Sequence, residues 1–163
     1  MHVLSILDDL VTFLQKEMAD YILKTKDGIE KAPTVYGGYL PPKVNKRRGE
    51  DSPEQEDYPF IIVRYLGDED RMFDSNQVTY RILVGTYNED EQNGWRDTIG
   101  LMIRVKTKLR EEQYIGAASL TGTIESALFE NQMKPSWHGV MEVTFDIPQI
   151  QQKNRSVLNS EFY

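Results

Sequence analysis

With 163 residues and no cysteine, the chain is long enough to bury one core unaided, and it has no disulfide framework, thiolate nucleophile or cysteine-built metal site. Its net charge of −7 argues against a primary role in binding nucleic acid, because phosphate recognition needs a concentrated basic face. No apolar run approaches the ~20 residues of a membrane span, and the opening MHVLSILDDLV has no basic stretch and soon meets Asp8 and Asp9, so neither a membrane anchor nor a signal peptide is expected.

The first predicted element is a helix. Val3, Leu7, Leu10, Val11, Leu14, Met18, Tyr21 and Ile22 recur on one face over about six turns. Lys24 and Lys26 then complement the helix dipole, and Asp27-Gly28 is a plausible stop. His2, close to the terminus, is expected to be mobile. Residues 32–57 are the least globular part, with Pro33, Pro41, Pro42 and Pro53, Gly37-Gly38 and Gly49. A short extended segment around Thr34-Val35-Tyr36 fits there; a central strand does not. The same stretch holds a basic cluster, Lys43, Lys46, Arg47 and Arg48, followed by an acidic one from Glu50 to Asp57. A loop of this length is either a solvated connector or a segment that orders on a partner.

Tyr58 to Leu66 reads as a strand, with Phe60, Ile62 and Arg64 alternating against Ile61, Val63 and Tyr65. An acidic turn, Gly67 to Asp70, leads through Met72 and Phe73 to a second strand. Met72-Phe73 at an acidic tip is either tucked back on the sheet or exposed for a partner. From Val78 to Tyr87 the alternation is strict. Val78, Tyr80, Ile82, Val84 and Thr86 share one face; Thr79, Arg81, Leu83 and Tyr87 share the other. Asn88 to Glu91 breaks the strand. Trp95, Ile99, Met102, Ile103 and Leu109 then mark an amphipathic helix. Gln113 to Thr123 is expected to be a small-residue connection, Thr123 to Phe129 a third strand and Trp137 to Ile147 a fourth. Pro148 ends that strand, and residues 149–163 are expected to be a flexible tail.

The sequence thus predicts one α+β domain over residues 1–148, with no internal repeat. Its mostly antiparallel four-stranded sheet carries two long helices on one face, in the order α-loop-ββ-α-ββ. The expected core is Leu7, Leu10, Leu14, Phe60, Ile62, Val84, Ile99, Ile103, Val143 and Phe145. The polar strand faces, with Arg81, Glu142, Thr144 and Asp146, suit a sheet with one solvated or partner-covered side.

Chemistry is sparse. The two histidines, His2 and His138, form no metal-ligand spacing, and no phosphate loop or nucleophile elbow is present. The carboxylates Asp68, Glu69 and Asp70 and Glu89, Asp90 and Glu91 lack the ligand order of a calcium loop; solvated turns explain them, and a weakly held divalent cation between subunits is the alternative. No catalytic residue, cofactor or resident metal is expected.

The sequence of elements has a familiar texture. An amphipathic N-terminal helix and a variable loop end in the strand YPFIIVRYL. The strand VTYRILVGTYNED, a helix beginning NGWRDTIGLMIRV and a closing strand VMEVTFDIP follow. From Met1 to Ile150 this resembles the tail-terminator, or tail-completion, proteins of long-tailed bacteriophages. The Pro-rich loop and the residues after Pro148 have no counterpart in that likeness. What the resemblance implies is a virion protein without enzymatic activity, present in the host cytoplasm during assembly. Its subunits would form a homo-oligomeric ring, a hexamer in the assembled tail, that caps the tail tube and stops its growth. The implied partners are other copies of the chain, the tail-tube protein and head-tail connector proteins, with no membrane and no sequence-specific nucleic acid. Lys43, Lys46, Arg47, Arg48, Met72 and Phe73 are the candidate contact residues. The alternatives are another phage neck, head-completion or minor tail adaptor, and a small-ligand-binding or cation-dependent enzyme domain.

Overall fold

A computed structural model describes residues 2–42 and 53–148. Helix α1 (Val3–Glu17) opens the chain. Edge strand β1 (Thr34–Gly37), a short 3-10 turn (Gln55–Asp57) and the long strands β2 (Phe60–Glu69) and β3 (Asn76–Tyr87) follow. Helix α2 (Trp95–Glu112) leads into β4 (Tyr114–Ile115), β5 (Ala118–Leu128) and β6 (Ser136–Ile147). The six strands form one mixed sheet in the order β1-β2-β3-β6-β5-β4. Only β1 and β2 run parallel among these neighbours.

The sheet curls into a half-barrel around the helices. Helix α1 touches β1 and β2 at one edge and β4 at the other, while α2 lies over β3, β6 and β5. Alternation explains the packing. Val78, Tyr80, Ile82 and Val84 of β3 meet Ile61 and Val63 of β2 and Met141, Val143 and Phe145 of β6 on the inner face. Ile6, Leu10, Leu14 and Met18 of α1, with Leu101, Met102, Val105 and Leu109 of α2, fill the space above them. The Tyr80 hydroxyl donates to the Val3 carbonyl at 2.6 Å, tying the start of α1 to the centre of the sheet.

Several expectations change. The sheet has six strands, because β1 and β4 add an edge strand on each side. Residues 113–123 are not a plain connection: Gly116 turns the chain at φ 61°, and β4 pairs back on β5. Helix α1 stops at Glu17, four to five residues short of the periodic pattern. Leu23 bridges to Lys31 in an antiparallel pair, which requires the chain to leave the helix first. Met18 remains buried, but Ile22 is exposed. His2 is not free: its Nδ1 accepts from the Ser5 amide at 3.2 Å, and its own amide donates to Ser5 Oγ at 3.0 Å, a reciprocal cap on α1.

The expected core holds at Leu10, Leu14, Val84, Val143 and Phe145, which are fully buried. Leu7 and Ile99 are only partly covered, and Ile103 is 52% exposed. The buried stripe of α2 runs instead through Thr98, Leu101, Met102, Val105 and Leu109, so Ile103 points away from the sheet. Phe60 and Ile62 are buried, but on the outer face, in a separate cluster with Tyr58 and Tyr87. The basic cluster Lys43, Lys46, Arg47 and Arg48 and the tail expected at 149–163 lie outside the described residues.

The β3–α2 junction is fixed by polar contacts. Thr86 and Thr98 pair through their hydroxyls at 2.8 Å in a buried setting, and Asn88 Nδ2 donates to Asp97 at 2.8 Å. Trp137 Nε1 donates to the Asn88 carbonyl at 3.0 Å. A side chain at Gly94 would meet that indole at 2.5 Å, so the close approach of α2 to β6 needs glycine there.

Replacing fully buried Leu14 by Ala is expected to cost about 2–5 kcal/mol in chemical denaturation. Ile103→Ala, at an exposed position, is expected to stay within about 0.5 kcal/mol of the parent. Equal losses at the two sites would contradict the observed register of the helices.

Candidate functional site

Two features stand out on the surface away from the helices. The first is the β2–β3 tip. Six residues, Asp70 to Ser75, separate the two strands. Arg71 anchors the turn, with its guanidinium 3.2 Å from Glu69 and 3.8 Å from Asp74. Its amide donates to Asn76 Oδ1 at 2.8 Å, and Asn76 Nδ2 donates to Asp70 at 2.9 Å. Within this network Phe73 sits at φ 66°, a left-handed conformation that an aromatic residue rarely adopts. Met72 and Phe73 are 69% and 63% exposed, so they are not tucked onto the sheet. An apolar side chain more than half exposed on a backbone in the left-handed region is suited to insertion into a neighbour.

The second feature is the outer face of the sheet. At the end where β2 begins, a cleft of about 610 Å³ is floored by Phe60, Ile62 and Leu83 and walled by Tyr39, Phe129 and His138. Gly85 makes room for the aromatic floor, since a Cβ there would fall 2.5 Å from the Phe60 ring. His138 stacks on Phe129 with ring centroids 5.6 Å apart, and its Nε2 pairs with the Tyr58 hydroxyl. Burial pushes the Tyr58 hydroxyl up to about 12, with the Ser136 side chain acting in the opposite direction. Burial lowers His138 below its ordinary value of 6.5. Both directions give one arrangement at neutral pH: a protonated tyrosine donates to a neutral imidazole. From the sequence, a lone His138 at a strand entrance reads as a satisfied or exposed structural residue, and the structure shows it satisfied. Its partners lie far away in the chain, and no spacing rule links Tyr58 to His138.

Beside the cleft, Arg64 donates from Nε to the Gly38 carbonyl at 2.9 Å and places its guanidinium 4.2 Å from the Tyr39 ring centroid. Arg81 pairs with Glu142 at 2.9 Å. The acidic turn after β3 has a local role: Asp90 accepts the amides of Gln92 and Asn93 at 3.0 and 3.1 Å ahead of α2. These bonds, with Asn93 foremost, hold its carboxyl below the usual range. Among the described residues, no group of three or more His, Asp or Glu is arranged to hold a metal ion. No helix among them is long and apolar enough to cross a membrane.

Of the predicted contact residues, only Met72 and Phe73 fall among the described residues. Met72 and Phe73 share the tip, whereas Lys43, Lys46, Arg47 and Arg48 lie outside the described residues. Neither protein-family models nor curated proteins yield a match to the chain.

The His138 geometry has a pH consequence. A base whose folded pKa is lowered refuses a proton that the unfolded chain accepts. Its contribution to stability is therefore complete above the unfolded value, ~6.5, and is lost as pH falls through that value toward the folded one. Denaturation between pH 7 and pH 5 is expected to show this acid loss in the parent and a smaller one in His138→Phe. Identical pH slopes would show that His138 carries no such penalty.

Proposed function

We propose that the chain works by binding, as a structural subunit of a phage tail that ends the tail tube. In this reading, copies of the chain close into a ring on the last tier of tube subunits. The ring covers the surface on which another tier would add and offers its other side to the head connector. The family resemblance in the sequence supplies the phage context. The observation that supports a binding role most strongly is the β2–β3 tip, where Met72 and Phe73 are 69% and 63% exposed. Ring closure needs two different complementary patches on each subunit. The tip is a natural insertion element, and an apolar hollow such as the outer-face cleft is the kind of surface that receives one.

A second reading draws on the cleft itself. Its volume and its Tyr58–His138 pair also suit a small apolar ligand with one polar group. Saturable binding of such a compound that His138→Phe abolishes, in a protein dispensable for tails, would favour it.

The test of the tail reading is complementation. Met72→Asp combined with Phe73→Asp is expected to leave the melting temperature near that of the parent, because both side chains are exposed and Asp tolerates a positive φ better than Phe. Electron microscopy of lysates should then show overlong tubes or tails without heads, as in the absence of the protein. Tails of normal length that join heads without the protein would overturn the terminator role. Normal tails with the double variant would remove the tip as an anchor.

A further inference from the structure

The outer face of the four central strands is organised in rows, one residue per strand. Cross-strand register places Arg64 beside Arg81, Arg81 beside Glu142 and Glu142 beside Glu125. Read across β2, β3, β6 and β5, this row is plus, plus, minus, minus. The Arg81–Glu142 pair satisfies the middle. Neither Arg64 nor Glu125 forms an ion pair among the described residues, so the row ends in an open cation on one side and an open anion on the other. The next row toward the cleft is apolar: Ile62, Leu83, Val140 and Ala127. On the opposite side, Thr79 and Thr144 pair through their hydroxyls, and Gln77 donates to Asp146 beyond them.

We propose that this face binds the same face of a second copy of the chain, about a two-fold axis that runs parallel to the strands between β3 and β6. Such an axis reverses each row without moving it along the strands. Arg64 then meets Glu125 of the second copy, and Arg81 meets its Glu142. The apolar row lies against itself, with Leu83 over Val140. Gln77 meets Asp146, and Glu69 meets the uncharged Ser119. No like charges face each other in any of these rows. A two-fold across the strands that passes through the charged row sets Arg64 over Arg64 and Glu125 over Glu125, and like-charge repulsion disfavours it. The complement of this charge order is thus the same row read backwards, which is the condition for an isologous contact. The four strands span ~14 Å between their outer axes. Because the outer face of a curled sheet bulges, contact is concentrated on these central strands, and the association is weak and sensitive to salt.

This contact covers Ile62 and Leu83 of the cleft, so it belongs to the free chain and gives way wherever the cleft receives a tip; it does not depend on the tail reading, and either can fail while the other stands. Sedimentation velocity on the purified full chain tests it. The parent is expected to show a concentration-dependent monomer–dimer equilibrium that weakens with added salt. Arg64→Glu and Glu125→Arg, each alone, place like charges together twice per dimer and should weaken association by about tenfold or more. Two rescues follow from the same geometry. An equimolar mixture of the two single variants restores opposite charges at every position and should dimerise like the parent. So should the double variant, whose row becomes minus, plus, minus, plus and is again its own reverse complement. Arg64→Glu also removes the bond to the Gly38 carbonyl, so circular dichroism must confirm its fold. If it fails to fold, Glu125→Arg alone still orders the dimers: parent pair tightest, mixed pair intermediate, variant pair weakest. A parent that stays monomeric at low salt, single variants that associate like the parent, or the absence of both rescue and this ordering would overturn the proposal.

Discussion

The structure depends on the pairing of β3 with β6. The two strands stay in register without a break from Asn76 opposite Ile147 to Tyr87 opposite Ser136. Side chains along a strand alternate between faces, so this single register assigns every residue of both strands to one side. A slip of one position would send Val78, Tyr80, Ile82 and Val84 to the outer surface and bring Arg81 and Glu142 into the core. The burial lost and the charges buried make such a slip far more costly than any single contact. Everything else is hung on that ribbon: β2 on one side, β5 on the other, and both helices across its inner face.

From this partition the two faces take different roles. The inner face is closed by α1 and α2, and the curl lets α1 reach both edges of the sheet. Among the described residues, no α-helix covers the outer face. That face carries an aromatic hollow at one end, a graded row of charge across its middle and polar pairs beyond. The same hairpin that supplies β2 and β3 continues to the tip at Met72 and Phe73. The elements proposed to make contacts are therefore extensions of the strands that build the core.

Much of this was legible in the sequence where burial is one-sided. The alternation in β3 and β6 is strict because one face meets helices and the other meets water, and both strands lie where the pattern puts them. The helices were legible for the same reason. Their details were not: Ile103 lies about 100° round the helix from Met102, outside the stripe that meets the sheet, and α1 ends early because Leu23 pairs with Lys31. Edge strand β1 falls where Thr34-Val35-Tyr36 reads as a short extended segment, whereas the two-residue β4 owes its extended form to pairing with β5 rather than to local preference. The surface features were least legible. The tip was recognised as unusual from Met72 and Phe73 alone, but its exposure depends on the Arg71 network. The charged row unites residues as distant in the chain as Arg64 and Glu142, and the Tyr58–His138 pair does the same. Cross-strand register creates both, and no spacing within the chain announces them.

The central claim is that the surface away from the helices is where this protein meets other chains. Hydroxyl-radical footprinting of the chain alone and in the tail assembly proposed to contain it tests this directly. Met72, Phe73, Leu4 and Ile103 are all more than half exposed and give readable signals. On assembly, Met72 and Phe73 at the tip and Leu83 on the outer face should lose reactivity, while Leu4 and Ile103 on the helical side keep theirs. Protection confined to Leu4 and Ile103, with the tip and outer face as reactive as in the free chain, would contradict the claim.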